Sequence, residues 1–492
     1  MSNSWIRWGL SALAALAIAG CGSGGGDDGP LVPPGPSVRD QINAAAAVPA
    51  NDSATNSSSA FTVVQGAGVT AVTVPAAASP TTAASLAKVN FSVFSDGRVV
   101  SGIPIGSVSF AIAKLVPGAN GNPDQWVNYI YRTESTATPP NNVGNGPNST
   151  PALATATQAT TDSKMSTTTL ASLGLSSQLV FNADGYYTYV FSTDIRDPKK
   201  TNGVAFEPGR THRVAIQLRY KNAAGETILV NPYIDFTVDA DGKSVFVTDP
   251  SKTRKMADVS TCNGCHEKLA LHGGGRVDTQ YCVMCHNPGT TDANSGNNLN
   301  MATMIHKIHS GRLLAAPTTA GGEHYQIWGF GASKHDYSEV GFPQDLRNCS
   351  RCHTSSNPAT PQGDNWKKVV SKEACLTCHA TGTGSSWRTS HATFAGGGDP
   401  LNISNAQCAT CHVGPISSER VHWNQNEENA AKYKMNIEDV TYTPSATAGG
   451  TSTVTIRYFL SDPTNNNAAY NLTVSDNGTP CASPTSCSNQ TK

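Results

Sequence analysis

Apolar and polar positions alternate along much of the chain between about residues 60 and 250, and this pattern predicts β-strands with one buried face. Residues 89–94 show the alternation clearly, and the turn dipeptide Asp96-Gly97 follows them. Further segments with the same character are residues 108–112, 126–131, 186–191, 214–220 and 233–238. We therefore predict an antiparallel β-sandwich or barrel over residues 60–250.

The stretch from about residue 133 to 168 interrupts this alternation. It is rich in Thr, Ser, Asn and Pro, and we predict a long loop there. His212 stands at the start of a predicted strand, where a surface or packing role is expected rather than metal ligation.

Residues 255–425 have a different composition, because Leu, Ile, Val and Phe make up only about 14% of them. Such a segment cannot build an ordinary hydrophobic core from its own side chains. We predict short helices and loops wrapped around bound apolar groups, and an unfolded state when those groups are missing.

The strand pattern returns after about residue 434, at residues 440–442, 453–458 and 470–474. We expect an incomplete second β-domain over residues 434–492, because so short a segment is marginal as an independent β-fold. Cys481 and Cys487 are expected to form a disulfide there, with two free thiols as the alternative. The ending resembles an interruption more than the close of a domain.

Five copies of Cys-x-x-Cys-His lie in the aliphatic-poor segment, and each is a c-type haem attachment site. The two thiols of such a motif bind one haem, and the adjacent His is the proximal ligand of its iron. Motifs 1 to 5 are Cys262/Cys265/His266, Cys282/Cys285/His286, Cys349/Cys352/His353, Cys375/Cys378/His379 and Cys408/Cys411/His412. They use ten of the thirteen cysteines, and five haem c groups are the cofactors predicted.

Other chemistry of the Cys-x-x-Cys pattern explains the sequence less well. Structural zinc sites do not require a His directly after every second Cys. A thiol redox pair requires one such motif near a βαβ pattern, and five separate disulfides in tight loops would connect almost nothing. Haem attachment is therefore the interpretation adopted.

The sixth ligand of each iron decides whether the haem is closed or open to substrates. Eight of the thirteen His residues are not proximal ligands. We predict that five of these complete bis-His ligation: His272, His306, His309, His391 and His422. His306 and His309 lie on nearly one face of a predicted helix. The spare residues are then His212, His324 and His335, while Met284, Met301 and Met304 are expected to pack against haem.

The first twenty residues form a targeting segment, with Arg7, a short apolar run over residues 10–18, and Ile18-Ala19-Gly20-Cys21. This ending resembles a bacterial lipobox, so Cys21 is predicted to be lipidated after cleavage. An ordinary secretory signal is the alternative. Residues 21–59 are rich in Gly and Pro and predict a flexible tether. A net charge of −1 gives no reason to expect a nucleic-acid partner.

The chain resembles the outer-membrane decahaem cytochromes of metal-reducing bacteria, the OmcA/MtrC type. The resemblance lies in the order of its parts: a lipobox, a β-domain, five haem motifs with an intervening Met-Ile-His-Lys-Ile-His segment, and a further β-domain. The resemblance covers essentially the whole chain, which resembles the N-terminal half of such a protein. It implies a cell-surface, lipid-anchored location on the outer membrane. It also implies that the chain passes electrons from a periplasmic multihaem cytochrome and a porin to extracellular acceptors, namely Fe(III) or Mn(IV) oxides, chelated metals or flavins.

Three hypotheses for function follow. The first is this electron conduit through five bis-His haems. The second is a multihaem reductase of a small nitrogen or sulfur compound at a five-coordinate haem, although no Cys-x-x-Cys-Lys variant is present. The third is a structural or adhesive lipoprotein whose haems only store electrons.

Overall fold

The computed structural model describes residues 35–47, 69–76, 79–136, 151–316, 322–329, 333–379, 385–423 and 429–470. Its first part is rich in strands, as predicted. The strands are β1 Val72–Thr73, β2 Lys88–Phe91, β3 Phe94–Ser95, β4 Arg98–Val99, β5 Val108–Val116, β6 Gln125–Asn128, β7 Tyr131–Ser135, β8 Thr155–Ala159, β9 Leu179–Phe181, β10 Tyr187–Val190, β11 His212–Lys221, β12 Thr227–Val230, β13 Tyr233–Val238 and β14 Ser244–Phe246. Two helices accompany them, α1 Val38–Ala46 and α2 Thr167–Ser172.

Two antiparallel sheets share one hydrophobic core. One sheet has the order β1-β2-β10-β9, and the other has the order β14-β13-β11-β5-β6, with β12 also paired to β11. Phe91 of the first sheet contacts Phe110 of the second edge to face, with ring centroids 5.7 Å apart. The architecture is therefore a β-sandwich, and the predicted fold class is confirmed. The Asp96-Gly97 turn joins β3 and β4, and both residues have positive φ.

The predicted long loop over residues 133–168 is wrong in part. β7 and β8 pair in register from Tyr131–Ala159 to Ser135–Thr155. The alternation was hidden because β8 is almost entirely polar or small. Its Gln158 amide instead accepts from Arg132 and donates to Glu134, so polar side chains hold this pair of strands together. His212 is fully buried between Tyr129 and Phe236, so it has a packing role and not a surface one.

The middle part consists of short helices joined by loops, as predicted. The helices are α3 Val259–His266, α4 Thr279–Cys282, α5 Met301–His309, α6 Gly311–Ala315, α7 Asn365–Lys368, α8 Lys372–Cys375, α9 Ser386–His391, α10 Asn405–Cys411 and α11 Ser418–Val421. A hairpin of β15 Gln326–Trp328 and β16 Lys334–Asp336 lies among them. Few large apolar side chains are buried in this part, in agreement with its composition.

The last described part is an antiparallel hairpin of β17 Lys434–Thr443 and β18 Thr453–Asp462, with β19 Ala468–Ala469 beside it. The strands predicted at residues 440–442 and 453–458 lie inside it, whereas residues 471–474 fall outside the described part. Apolar side chains such as Tyr442 and Val454 are exposed on this hairpin. In the stretches that the structure describes, no helix is long and apolar enough to cross a membrane.

The β-sandwich is joined to motif 2 by a buried arginine. Arg213 of β11 is completely buried and forms two hydrogen bonds of 2.6 and 2.8 Å with the carboxylate of Asp235. Its remaining guanidinium nitrogen donates to Gln280 of α4, two residues before Cys282. The guanidinium lies between the rings of Trp126 and Tyr233, at 4.4 and 4.5 Å from their centroids. Motif 2 is thus fixed to the second sheet.

Candidate functional site

Each Cys-x-x-Cys-His motif follows a residue suited to start a helix, placed four positions before its first cysteine. These residues are Asp258, Asp278, Asp345, Ser371 and Ser404. Asp258, Asp278 and Ser404 are N-caps whose side chains accept backbone N–H groups of α3, α4 and α10. Sequence reasoning missed this repeated residue, although its fixed spacing from the cysteines is visible in the sequence.

The cap fixes where the helical turn begins, and the motif occupies the turn that follows. In motifs 2 to 5 the backbone N–H of the His donates to the carbonyl of the first cysteine, at 2.9 to 3.2 Å. One turn of backbone therefore carries both thiols and the imidazole. This is the arrangement required if one haem is to be bound through two thioethers and ligated by the next residue.

The structure places every predicted proximal His opposite one of the five predicted distal His residues. The ring centroids are 6.0 Å apart for His266 and His309, 6.0 Å for His272 and His286, 6.1 Å for His306 and His353, 6.1 Å for His379 and His422, and 6.2 Å for His391 and His412. Sequence alone did not reveal these pairings.

The common separation has a simple interpretation. A His nitrogen binds a metal at about 2 Å and its ring centroid lies about 1.1 Å further back, so two imidazoles on opposite sides of one metal have centroids roughly 6.2 Å apart. All five pairs fall close to that value. The residues therefore fit five six-coordinate haem irons.

Hydrogen bonds orient several of these rings. The Nδ1 atoms of His309, His391 and His422 each lie 2.8 to 2.9 Å from the carbonyl oxygen four residues earlier. Among the proximal residues, Nδ1 of His286 lies 3.0 Å from the carbonyl of Leu299, and Nδ1 of His353 lies 3.1 Å from that of Met256. An Nδ1–H that donates to a carbonyl leaves Nε2 as the free lone pair, which is the atom that binds iron.

Burial favours the uncharged forms of the site residues. It lowers the pKa of His306 to about 4, with further contributions from His353 and His309. It raises the pKa of Cys349 to about 11, and a neighbouring thiol, Cys378, adds to this effect. Neutral imidazole is the form that can ligate a metal, so His306 is in its ligating form at neutral pH.

The motifs follow one another in space in a different order from their order in sequence. Arg351 of motif 3 lies 3.8 Å from the sulfur of Cys265 in motif 1. Burial raises the pKa of four motif cysteines, and in each case a cysteine of another motif adds to the effect. Cys262 acts on Cys282, Cys352 acts on Cys262, Cys378 acts on Cys349, and Cys408 acts on Cys375. Such effects require short distances, so the spatial order is motif 2, 1, 3, 4, 5.

The remaining candidate ligands lie elsewhere. Met284 is completely buried in an apolar cluster with Trp126 and Tyr281, which agrees with packing and not ligation. His335 is exposed on β16, and His324 is half-buried. Cys21, Cys481 and Cys487 lie outside the described residues. Within the described part of the chain, no group of three or more His, Cys, Asp or Glu side chains is arranged to hold a metal ion without haem.

Comparison with known proteins finds a family model that matches the part of the chain containing this site. Residues 254–433 match the family model "Outer membrane cytochrome MtrC/MtrF-like, domains II/IV". A curated relative, the multiheme cytochrome MtrC of Shewanella baltica (strain OS185), is 24% identical over 242 residues, which are 48% of this chain and 29% of that protein. The predicted resemblance is confirmed, and the family model describes outer membrane proteins, in agreement with the predicted location.

Two solved structures match much of the chain, and one of them, that of OmcA, is similar in fold. The crystal structure of the outer membrane decaheme cytochrome OmcA matches 78% of this chain and 52% of that chain, with a TM-score of 0.55 and 24% identity. The crystal structure of MtrC from Shewanella baltica OS185 matches 79% of this chain and 50% of that chain, with a TM-score of 0.47 and 20% identity. The chain spans about half the length of these solved chains and less than a third of the curated relative.

Proposed function

We propose that the chain is a member of the outer-membrane decahaem cytochrome family, on the strength of the family-model match over residues 254–433, and that it passes respiratory electrons to extracellular acceptors through five bis-His haems. The observation that supports this most directly is the set of five facing imidazole pairs with centroids 6.0 to 6.2 Å apart. Each pair contains one motif His and one predicted distal His. When bound, haem supplies reversible one-electron redox chemistry.

The protein's own residues have three tasks in this proposal. The ten motif cysteines would hold the haems covalently, and the five His pairs would supply two imidazole ligands to each iron. Carbonyl groups such as those of Ile305 and Trp387 keep distal rings in position through Nδ1. A haem closed on both sides has no room for substrate at its iron, so it suits electron transfer more than catalysis on a bound molecule.

The order of the motifs supports conduction. Helix α5 carries both His306 and His309, one turn apart, and they face His353 and His266 respectively. Haems 3 and 1 would therefore lie at two sides of one short helix. Together with the order 2, 1, 3, 4, 5, this arrangement would bring successive haems close enough for electrons to hop from one to the next.

The remaining parts of the proposal concern organisation. Residues 1–20 are a lipoprotein signal, residues 21–59 a tether from lipidated Cys21, residues 60–250 a β-domain, and residues 255–425 the pentahaem domain. Residues 434–492 begin a second β-domain, with a disulfide between Cys481 and Cys487. The acceptors are Fe(III) or Mn(IV) oxides, chelated metals or flavins, and the electrons come from a periplasmic multihaem cytochrome through a porin.

The test combines haem counting with ligand exchange. The purified protein should contain five haems by pyridine haemochrome assay, and the oxidised protein should show low-spin bis-His signals by electron paramagnetic resonance. His306→Met and His391→Met should each keep all haems but raise one midpoint potential, because Met ligation raises the potential of haem. His335→Met is the matched control and should leave all potentials unchanged. Unchanged titrations in both test variants would remove these residues from the ligand set.

A further inference from the structure

His272 is held differently from the other four residues in the distal set. His306, His309 and His391 lie on helices α5 and α9, and His422 caps the end of α11. His272 lies in a turn between Leu271 and Arg276, outside any helix. His272 as a whole residue is exposed, whereas the other four are half-buried, although desolvation still lowers the pKa of the His272 imidazole to about 4. This contrast concerns the pair formed with His286 of motif 2.

The backbone of this turn is unusual. His272, Gly273 and Gly274 all have left-handed conformations, with φ of 51°, 73° and 84°. Glycine adopts this region freely, but a residue with a Cβ does so at a cost. No atom lies within 4 Å of the position that a Cβ would take at Gly273 or Gly274, so open space surrounds the end of the turn.

The turn is anchored at its base and not at its end. The Asn231 side chain bonds to the carbonyl of Gly275 and to the N–H of Val277, and Arg276 donates to Gln217. In contrast, the imidazole of His272 has no hydrogen-bond partner among the described residues. His306 also lacks an Nδ1 partner, but it lies within α5 and is half-buried. His272 can therefore swing about a fixed base.

We propose that His272 is a releasable ligand, and that motif 2 is the one position where a small diatomic molecule such as carbon monoxide or nitric oxide can replace a distal His. This inference rests on the proposed haem ligation. In the exchange, the bond from Nε2 of His272 to iron breaks, and the added ligand forms the new bond through its own lone pair. No electron is transferred, and His272 leaves as neutral imidazole.

The other four pairs have a reason to stay closed. Release of His309, His391 or His422 would also have to break the hydrogen bond between the ring and the carbonyl four residues earlier. Release of His272 requires only rotation within a glycine-rich turn that faces solvent. The sequence Leu271-His-Gly-Gly-Gly-Arg276 would therefore allow ligand release at one haem of five.

The experiment uses the full haem-loaded chain, reduced with dithionite and titrated with carbon monoxide. The number of reacting haems is obtained from the Soret change and the total haem content. We expect one reacting haem per chain in the wild type. His272→Ala should still show one, but with binding roughly tenfold or more faster, because no protein bond must first break. His391→Ala, the matched control, should show two.

These counts separate the possible failures. No reacting haem in the wild type, or two in His272→Ala, would overturn the proposal that motif 2 is the open position. If His272→Ala loses haem, His272→Met replaces it and should again show one. A wild type with five haems and low-spin spectra that binds no carbon monoxide would leave the proposed conduit intact. A different haem count or a high-spin resting spectrum would instead contradict the conduit itself.

Discussion

Removal of the Arg213 side chain should destabilise two parts of the protein together. Arg213 and Asp235 are 0 and 4% exposed by side chain, so Arg213→Leu would leave a buried carboxylate without its main partner. Breaking a buried pair in this way costs about 3–5 kcal/mol. Lys255 lies 4.0 Å from Asp235 and offsets a part of that loss. We therefore expect Arg213→Leu to lower the opening free energy of the affected regions by about 3 kcal/mol.

The affected regions follow from the contacts of the guanidinium. It bonds to Asp235 in the sandwich and to Gln280 beside motif 2. Hydrogen–deuterium exchange on the haem-loaded chain should therefore show a loss of protection in β11 and in residues 279–286, with similar changes in opening free energy. Exchange is suitable because it reports local opening without assuming two-state unfolding.

Two variants serve as controls for this prediction. Arg219→Leu removes an exposed arginine from the same strand and should change protection by less than about 0.5 kcal/mol. Arg213→Leu combined with Asp235→Leu removes both charges and should recover most of the stability, because a buried pair is often replaceable by apolar residues at about 1 kcal/mol or less. A loss below about 1 kcal/mol in Arg213→Leu, or a loss confined to β11, would refute the reasoning.

Further predictions concern the caps, one haem and a buried histidine. Ser404→Ala should lower protection of α10 by about 1 kcal/mol in exchange measurements, whereas Ser417→Ala should have little effect because Ser417 makes no side-chain cap bond. Replacing Cys408 and Cys411 together by Ala should reduce the mass by one haem, and an unchanged mass would contradict attachment there. Burial lowers the pKa of His212 to about 4, so the unfolded chain binds a proton first as pH falls below about 6.5, and about 2.5 kcal/mol of stability should be lost between pH 7.5 and 4.5. His212→Gln should remove that part of the acid sensitivity in urea unfolding at the two pH values.

The sequence predicted those features that depend on local chemistry. Alternation located β5 and β11 because one face of each is buried in an apolar core. It missed β8, because polar contacts of Gln158 hold that strand instead. The sequence also did not predict the left-handed turn that begins at His272, which the three glycines after it permit.

The set of ligands could be predicted from the sequence, but the pairing of the ligands could not. The sequence suggested two groups of ligands. The five motif His residues form the proximal group, and five of the eight other His residues form the distal group. The sequence did not suggest which proximal His faces which distal His, because the partners come from separate helices and turns. His353 faces His306, which lies before motif 3 in the chain, while His266 faces His309, which lies beyond motif 2.

The pairings themselves explain how a segment so poor in aliphatic residues can fold. The pair His272–His286 is nested inside His266–His309, and His391–His412 is nested inside His379–His422. The pair His306–His353 starts inside the first set and ends at motif 3, before the second set begins. Each iron would join two His residues and so close a loop of chain. Once the inner pair of a nested set is joined, fewer free residues remain in the loop that the outer pair closes, so the entropy cost of that second loop is smaller. The haems would therefore replace a hydrophobic core with five ordered closures, and the same segment without haem should be unfolded.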